Sequence, residues 1–218
     1  MPALFLSVPV IGILRGVSAD FFRDLMPASF EAGLDAIEVT VNTEGAADII
    51  AANRALVPAG KYLGMGTVRN LDEAKMAVDA GAMFLVTPNY DRAVLEHARH
   101  HGIPVVAGAL TPTEIYRAWS EGAAMVKVFP CNLMGGPSYI KELRGPFDDI
   151  PLVAVGGVKS EDLAAYFAAG VNAVGVSSSL FGREALHEKK LKELTKNVKT
   201  YISLCAALLG RKNNTVLP

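Results

Sequence analysis

Short runs rich in valine, isoleucine and leucine alternate along this chain with amphipathic stretches, and the alternation repeats eight times. A strand, a helix and a further strand form the repeating unit of a parallel sheet, because a crossover of that length returns the chain to the sheet in the same direction. The spacing predicts strands near 8–14, 36–41, 62–65, 83–86, 104–107, 125–129, 152–155 and 173–176. Between them, Ser18-Ala-Asp, Asn70-Leu-Asp-Glu, Thr111-Pro-Thr-Glu and Ser160-Glu-Asp each place a capping side chain ahead of acidic residues that suit a helix N-terminus. Gly33, Gly81, Gly102, Gly122 and Gly170 stand where helices should stop, shortly before the next strand. Eight such units within 218 residues favour a single (β/α)₈ TIM barrel over an open doubly wound sheet. We therefore expect one barrel domain over residues 1–210, with a last helix near 183–209 broken around Glu188, and a loose tail at 211–218.

Composition narrows the partners. Lysine and arginine number 21 against 22 aspartates and glutamates, so no basic excess exists to hold nucleic acid or an anionic membrane, and small molecules are the expected ligands. No apolar stretch reaches the length of a membrane span, and Met-Pro-Ala-Leu-Phe-Leu at the start lacks the charged flank of a secretory signal; a cytoplasmic location is expected. Cys131 and Cys205, far apart in sequence, read as reduced thiols. His97 and His101 have helical spacing for a metal, with His100 beside them, but they close the fourth helix, where a protonated imidazole suits the helix dipole. No metal and no cofactor are expected. Tyr116 and Trp119 read as a helix face packed on strands, and Met65, Met76, Met83, Met125 and Met134 as core fillers.

The chemistry centres on Lys127, in the apolar run Ala-Ala-Met-Val-Lys-Val-Phe-Pro. Burial of an ammonium without a partner favours the neutral amine, the form that attacks a carbonyl to make a Schiff base. A lysine snorkelling from a strand end is the alternative. Glu38 repeats the pattern, since Ala36, Glu38 and Thr40 share the strand face opposite Ile37, Val39 and Val41. Two ionisable groups pointing into one core provide a nucleophile beside a proton donor and acceptor, or else a structural ion pair. In a barrel, chemistry lies at the carboxyl ends of the strands. The polar residues there are Arg15, Glu38, Thr67, Thr87 with Pro88, Lys127, Gly156 with Gly157, and Ser177 with Ser178. The glycine pair after the seventh strand and the serines after the eighth offer amides and hydroxyls to a phosphate, although a GG pair also makes an ordinary tight turn. Arg15 offers a planar fork to a carboxylate.

Ile13-Leu-Arg-Gly16, Ile37-Glu-Val-Thr40, Gly64-Met-Gly-Thr-Val68, Val86-Thr-Pro-Asn89, Lys127-Val-Phe-Pro130, Ala154-Val-Gly-Gly-Val158 and Gly175-Val-Ser-Ser178 occur in this order. Over nearly its whole length the chain thereby resembles the class I 2-keto-3-deoxy-6-phosphogluconate (KDPG) and 4-hydroxy-2-oxoglutarate (KHG) aldolase family. The resemblance implies that Lys127 is the Schiff-base lysine and Glu38 the general acid/base. It further implies that Arg15 and Thr67 contact the keto-acid end, that Pro88 and Phe129 line the site, and that Gly156, Gly157 and Ser178, with Ser177, hold the phosphate. The implied reaction yields pyruvate and glyceraldehyde 3-phosphate, or glyoxylate from the shorter substrate, with no metal; the implied assembly is a homotrimer. One departure stands out: sugar-acid members often carry Glu-Val-Thr-Leu-Arg-Thr, and this chain has Asn42 in place of the arginine. The 2-dehydro-3-deoxy-6-phosphogalactonate branch resembles this chain there, with Arg15 taking over the carboxylate. Cys131 after Phe-Pro is a second departure and is assigned no catalytic role. Two other classes stay open: an isomerase or decarboxylase without covalent capture, and a non-catalytic barrel that binds a phosphorylated metabolite.

Overall fold

The structure, a computed structural model, describes residues 4–212, with side chains through residue 208. Eight parallel strands close into a barrel in sequence order, with β1 (Val10–Leu14) pairing both β2 (Ala36–Thr40) and β8 (Ala173–Val176). Between them lie β3 (Tyr62–Gly66), β4 (Leu85–Val86), β5 (Val105–Ala109), β6 (Met125–Val128) and β7 (Leu152–Val155). The helices that follow the strands are α1 (Ala19–Glu31), α2 (Ala46–Asn53), α3 (Leu71–Asp79), α4 (Arg92–His100), α5 (Pro112–Ser120), α6 (Pro137–Arg144) and α7 (Leu163–Ala169). After β8 come the short α8 (Ser178–Phe181) and α9 (Arg183–His187), then α10 (Leu191–Lys212). The break expected near Glu188 is the α9–α10 junction. Of the expected tail, Arg211 and Lys212 lie in α10 and the remainder lies outside the described residues.

Alternation along the strands builds two cores. Outward positions such as Val10, Leu14, Ile37, Val39, Leu63, Val126 and Val128 pack under the helices. Inward positions such as Ile11, Ala36, Phe84, Val86, Val106, Val153 and Ala173 fill the barrel, and Leu4 joins them. Each of the larger of these side chains contributes roughly 1.5–3 kcal/mol by leaving water. The Phe84 ring fits because β3 offers it Gly64, where a Cβ would stand 2.5 Å from the ring. Asp35, ahead of β2, accepts from Ser7 Oγ (2.6 Å), the Val8 amide (2.8 Å) and Lys61 Nζ (2.7 Å), fastening the segment that leads into β1.

The helix-stopping glycines adopt the left-handed backbone that the sequence anticipates, with φ of 104° at Gly33, 88° at Gly81, 69° at Gly102, 105° at Gly122 and 103° at Gly170. The helix starts are mixed. Asn70 accepts from the Glu73 amide, and Thr111 forms a full capping box with Glu114. Ser18 makes no capping bond and instead accepts from Lys189 Nζ, while Ser160 opens a 3₁₀ turn rather than a helix. Strand β1 begins at Val10, not position 8, since Val8 turns back to accept from the Val10 amide at 2.8 Å. Met76, Met134 and Tyr116 are exposed rather than core, and Tyr116 stacks on Phe147 at 6.3 Å between ring centroids.

Candidate active site

Arg15, Glu38, Thr67, Pro88, Lys127, Phe129, Gly156, Gly157, Ser177 and Ser178 all line one cavity of about 550 Å³ at the carboxyl ends of the strands. Residues from seven of the eight strands or the loops after them meet there, as strand closure requires of any barrel mouth. Thr87 does not line it. Its Oγ1 accepts from the Gly108 amide at 2.8 Å and donates to the Asn89 carbonyl at 2.7 Å, tying β4 to β5.

Lys127 projects inward from β6, flanked by Gly108 and Val153 in the ladder, and is 6% exposed. Its Nζ stands 4.8 Å from the centroid of the Phe129 ring. Desolvation holds its pKa below the ordinary lysine value; the Glu38 charge opposes that shift and the Arg15 charge adds to it. Glu38, 1% exposed on β2, is pushed up to about 7 by the same desolvation, against the pull of Lys127 and Arg15. Among the described residues no ion pair joins Lys127 to Glu38, and Glu38 Oε2 is buried with no hydrogen-bond partner. The structural ion pair is therefore not what these residues form. A buried amine biased toward neutrality and a carboxyl titrating near neutral pH face one cavity with room between them. That combination suits capture of a carbonyl and transfer of a proton.

The rim is polar. Arg15 Nη1 donates to Asn42 Oδ1 at 2.9 Å and Nη2 to Thr67 Oγ1 at 3.4 Å, so the asparagine that departs from the family pattern holds the guanidinium that faces the cavity. Thr67 has φ of 60°, a left-handed conformation that costs a non-glycine residue about 1 kcal/mol or more and turns the chain at the end of β3. Across the mouth, Gly156 and Gly157 follow β7 with φ of 96° and 77°. Space demands glycine as well: a Cβ on Gly156 would lie 3.2 Å from the Phe129 ring, and one on Gly157 2.8 Å from Asn132.

Sequence reasoning missed several lining residues, among them Ile13, Val155, Lys159, Ser179 and Arg183. Lys159 and Arg183 put two cations at the glycine and serine end of the cavity. Inward alternation on β1 and β7 was a sufficient signal for Ile13 and Val155; nothing local marks Lys159 or Arg183. Cys131 is fully buried behind the site, and burial pushes its thiol up to about 11, leaving a poor nucleophile. His97 and His101 meet with ring centroids 4.4 Å apart and planes tilted by 47°, and burial holds His97 below the ordinary histidine range, against the protonated imidazole expected there.

Comparison with known proteins supplies an independent finding. The family model described as KDPG and KHG aldolase matches residues 4–197. The 2-dehydro-3-deoxy-phosphogluconate aldolase of Treponema pallidum is 34% identical over 171 residues, covering 77% of this chain and 81% of that one. The 2-dehydro-3-deoxy-6-phosphogalactonate aldolase of Escherichia coli is 33% identical over 196 residues, covering 89% and 95%. Among solved structures, the KDPG aldolase of Legionella pneumophila, with pyruvate captured as a covalent carbinolamine intermediate, superposes with a TM-score of 0.83 at 25% identity, covering 91% of this chain and 96% of that one.

Proposed function

We propose, since the chain belongs to the KDPG and KHG aldolase family, that it cleaves a phosphorylated 2-keto-3-deoxy hexonate into pyruvate and glyceraldehyde 3-phosphate with Lys127 as the capturing amine. Membership makes the chain a lyase of the Schiff-base class. The observation that carries the residue assignment is the buried Lys127 amine and the unpartnered Glu38 carboxyl facing one cavity without an ion pair between them.

On this reading the neutral Lys127 amine adds to the keto carbon, the protonated Glu38 carboxyl gives its proton to the departing oxygen, and loss of water leaves a cationic imine. Glu38, directly or through a water, takes the proton of the hydroxyl on carbon four. The electron pair of the bond between carbons three and four then flows into the imine, and the aldehyde departs. Protonation of the enamine at carbon three and hydrolysis release pyruvate and restore the amine. Arg15, held by Asn42 and Thr67, takes the carboxylate of the keto acid as a fixed fork. Pro88 and Phe129 wall the reacting carbons. Gly156, Gly157, Ser177 and Ser178 receive the phosphate, and Lys159 and Arg183 add charge at that end. 4-Hydroxy-2-oxoglutarate, cleaved to pyruvate and glyoxylate, is the shorter substrate of the same chemistry.

A second reading takes the galactonate epimer as substrate. The Arg15–Asn42 hydrogen bond favours it, because that branch pairs the same arginine motif with asparagine. Comparing kcat/KM on the two epimers decides between them. A barrel domain over residues 1–210, argued from the eightfold repeat, a cytoplasmic location, argued from the sequence, and a homotrimer, argued from family likeness, complete the proposal; light scattering of the purified chain tests the trimer.

The deciding experiment incubates the protein with pyruvate and sodium borohydride and locates the mass increase by peptide mass spectrometry. A reduced adduct on Lys127, absent from Lys127→Met, is expected. No adduct in folded protein, or an adduct on another lysine, would overturn the assignment.

A further inference from the structure

Among the described residues Glu38 has no directional polar support: Oε2 has no hydrogen-bond partner and no ion pair joins it to Lys127, which acts on it with Arg15 only as a more distant charge. Its position is therefore set by shape. On the neighbouring strand β3, Gly64 is the ladder partner of Glu38 and Gly66 that of Thr40, so both glycines share the inward face. A Cβ built on Gly66 would stand 2.2 Å from Glu38 Oε1, 2.5 Å from Cδ and 3.0 Å from Oε2. The carboxylate lies on the bare backbone of β3, in the space an alanine methyl would occupy. The backbone itself does not demand glycine, since Gly66 is not among the residues with positive φ. The three heavy atoms nearest to such a Cβ all belong to the Glu38 carboxylate.

We propose that Gly66 is a positioning residue for the aldol reaction: its missing side chain is the seat that holds the Glu38 carboxyl buried and aimed into the cavity. The inference rests on the reading of Glu38 as the general acid/base. A methyl at Gly66 pushes the carboxylate outward toward the cavity, where it gains water, so the Glu38 titration moves down from near neutrality toward the ordinary carboxylate range. Displacement by about 1 Å of a group that moves a proton costs on the order of a hundredfold in rate.

The test is Gly66→Ala against Gly64→Ala. Both place a methyl on the same face of the same strand, but the nearest atoms to the second belong to the fully buried Phe84 ring, at 2.5 Å, where those nearest to the first belong to the carboxylate. Gly66→Ala is expected to stay folded, to trap pyruvate on Lys127 with borohydride, to lose about ten- to a hundredfold in kcat, and to shift the pH midpoint of kcat downward. Gly64→Ala is expected to lower the melting temperature and leave that midpoint in place. Glu38→Asp, shorter by one methylene, gives the carboxylate room, so the loss in Gly66→Ala/Glu38→Asp is smaller than the product of the single losses. Wild-type kcat and pH midpoint in Gly66→Ala, or strictly multiplicative losses in the double variant, would overturn the proposal. Wild-type turnover in Glu38→Gln would instead overturn the premise, so that single variant tells the two failures apart.

Discussion

Glu38→Gln should uncouple the stability of the protein from pH across the neutral range. In the folded chain, burial pushes the Glu38 carboxyl from an ordinary 4.5 up to about 7, whereas the unfolded chain releases that proton at the ordinary value. Between those pH values the folded state binds more protons than the unfolded one. The stability associated with Glu38 is thus fully present below 4.5 and is lost as pH rises through about 7. The interval, at roughly 1.36 kcal/mol per pH unit, amounts to about 3 kcal/mol. Glutamine keeps the shape and carries no titrating proton. Urea unfolding of both proteins at steps from about pH 4 to pH 8.5 then gives a difference curve in which the variant gains about 3 kcal/mol on the wild type as pH rises. For a chain of this size that is on the order of 6–12 °C in melting temperature. Lys127 titrates in both proteins, so the subtraction isolates Glu38 and its influence on that amine. Parallel curves would refute the reasoning, for they would mean that Glu38 titrates alike in folded and unfolded chains and that water reaches it in the barrel.

Two further outcomes follow from the geometry. Replacing Lys159 and Arg183 with methionine should raise KM for the phosphorylated substrate by about tenfold each, and leave KM for unphosphorylated 4-hydroxy-2-oxoglutarate within about twofold; equal effects on both substrates would remove these cations from the phosphate end. Asp35→Ala strips the partner from Ser7, the Val8 amide and Lys61, and should cost about 2–3 kcal/mol at neutral pH by urea unfolding. Those bonds hold the Asp35 carboxyl below its ordinary range despite burial. Its stabilisation is therefore present above the ordinary carboxylate pKa and fades as pH falls through the depressed one, so the cost of the variant shrinks in acid.

The barrel was legible because its signals are local and periodic. Period-two runs, glycines at helix ends and the eightfold repeat each state a backbone preference that tertiary packing then confirmed. The same periodicity placed Lys127 and Glu38 on inward faces. It could not say where the Glu38 head lies, since that depends on the bare backbone of Gly66 in the neighbouring strand and not on the residue's own surroundings. Lys159 and Arg183 escaped for a related reason: an exposed cation, on a loop or at the start of a helix, looks the same in sequence whether it faces a cavity or bulk water. Asn42 read as a missing charge, and only its bond to Arg15 gave it a use. Ser18 carried the composition of a helix cap, but Lys189 engages its hydroxyl instead. Met76, Met134 and Tyr116 show that apolar identity alone does not decide burial on the outer ring of helices.

The proposed grip on the phosphate comes from the segments after β7 and β8, while the proposed capturing amine and proton-transfer carboxyl stand on β6 and β2. In the closed ring β2 and β6 stand opposite each other, and β7 and β8 lie side by side on the path between them, so the proposed tail-binding segments are neighbours while bond making spans the mouth. A lineage built on this plan can exchange the two tail-binding segments and acquire a new aldehyde partner while inheriting the pyruvate half intact. For a protein engineer, those two segments are where diversity belongs, with β2, β3 and β6 left as they are.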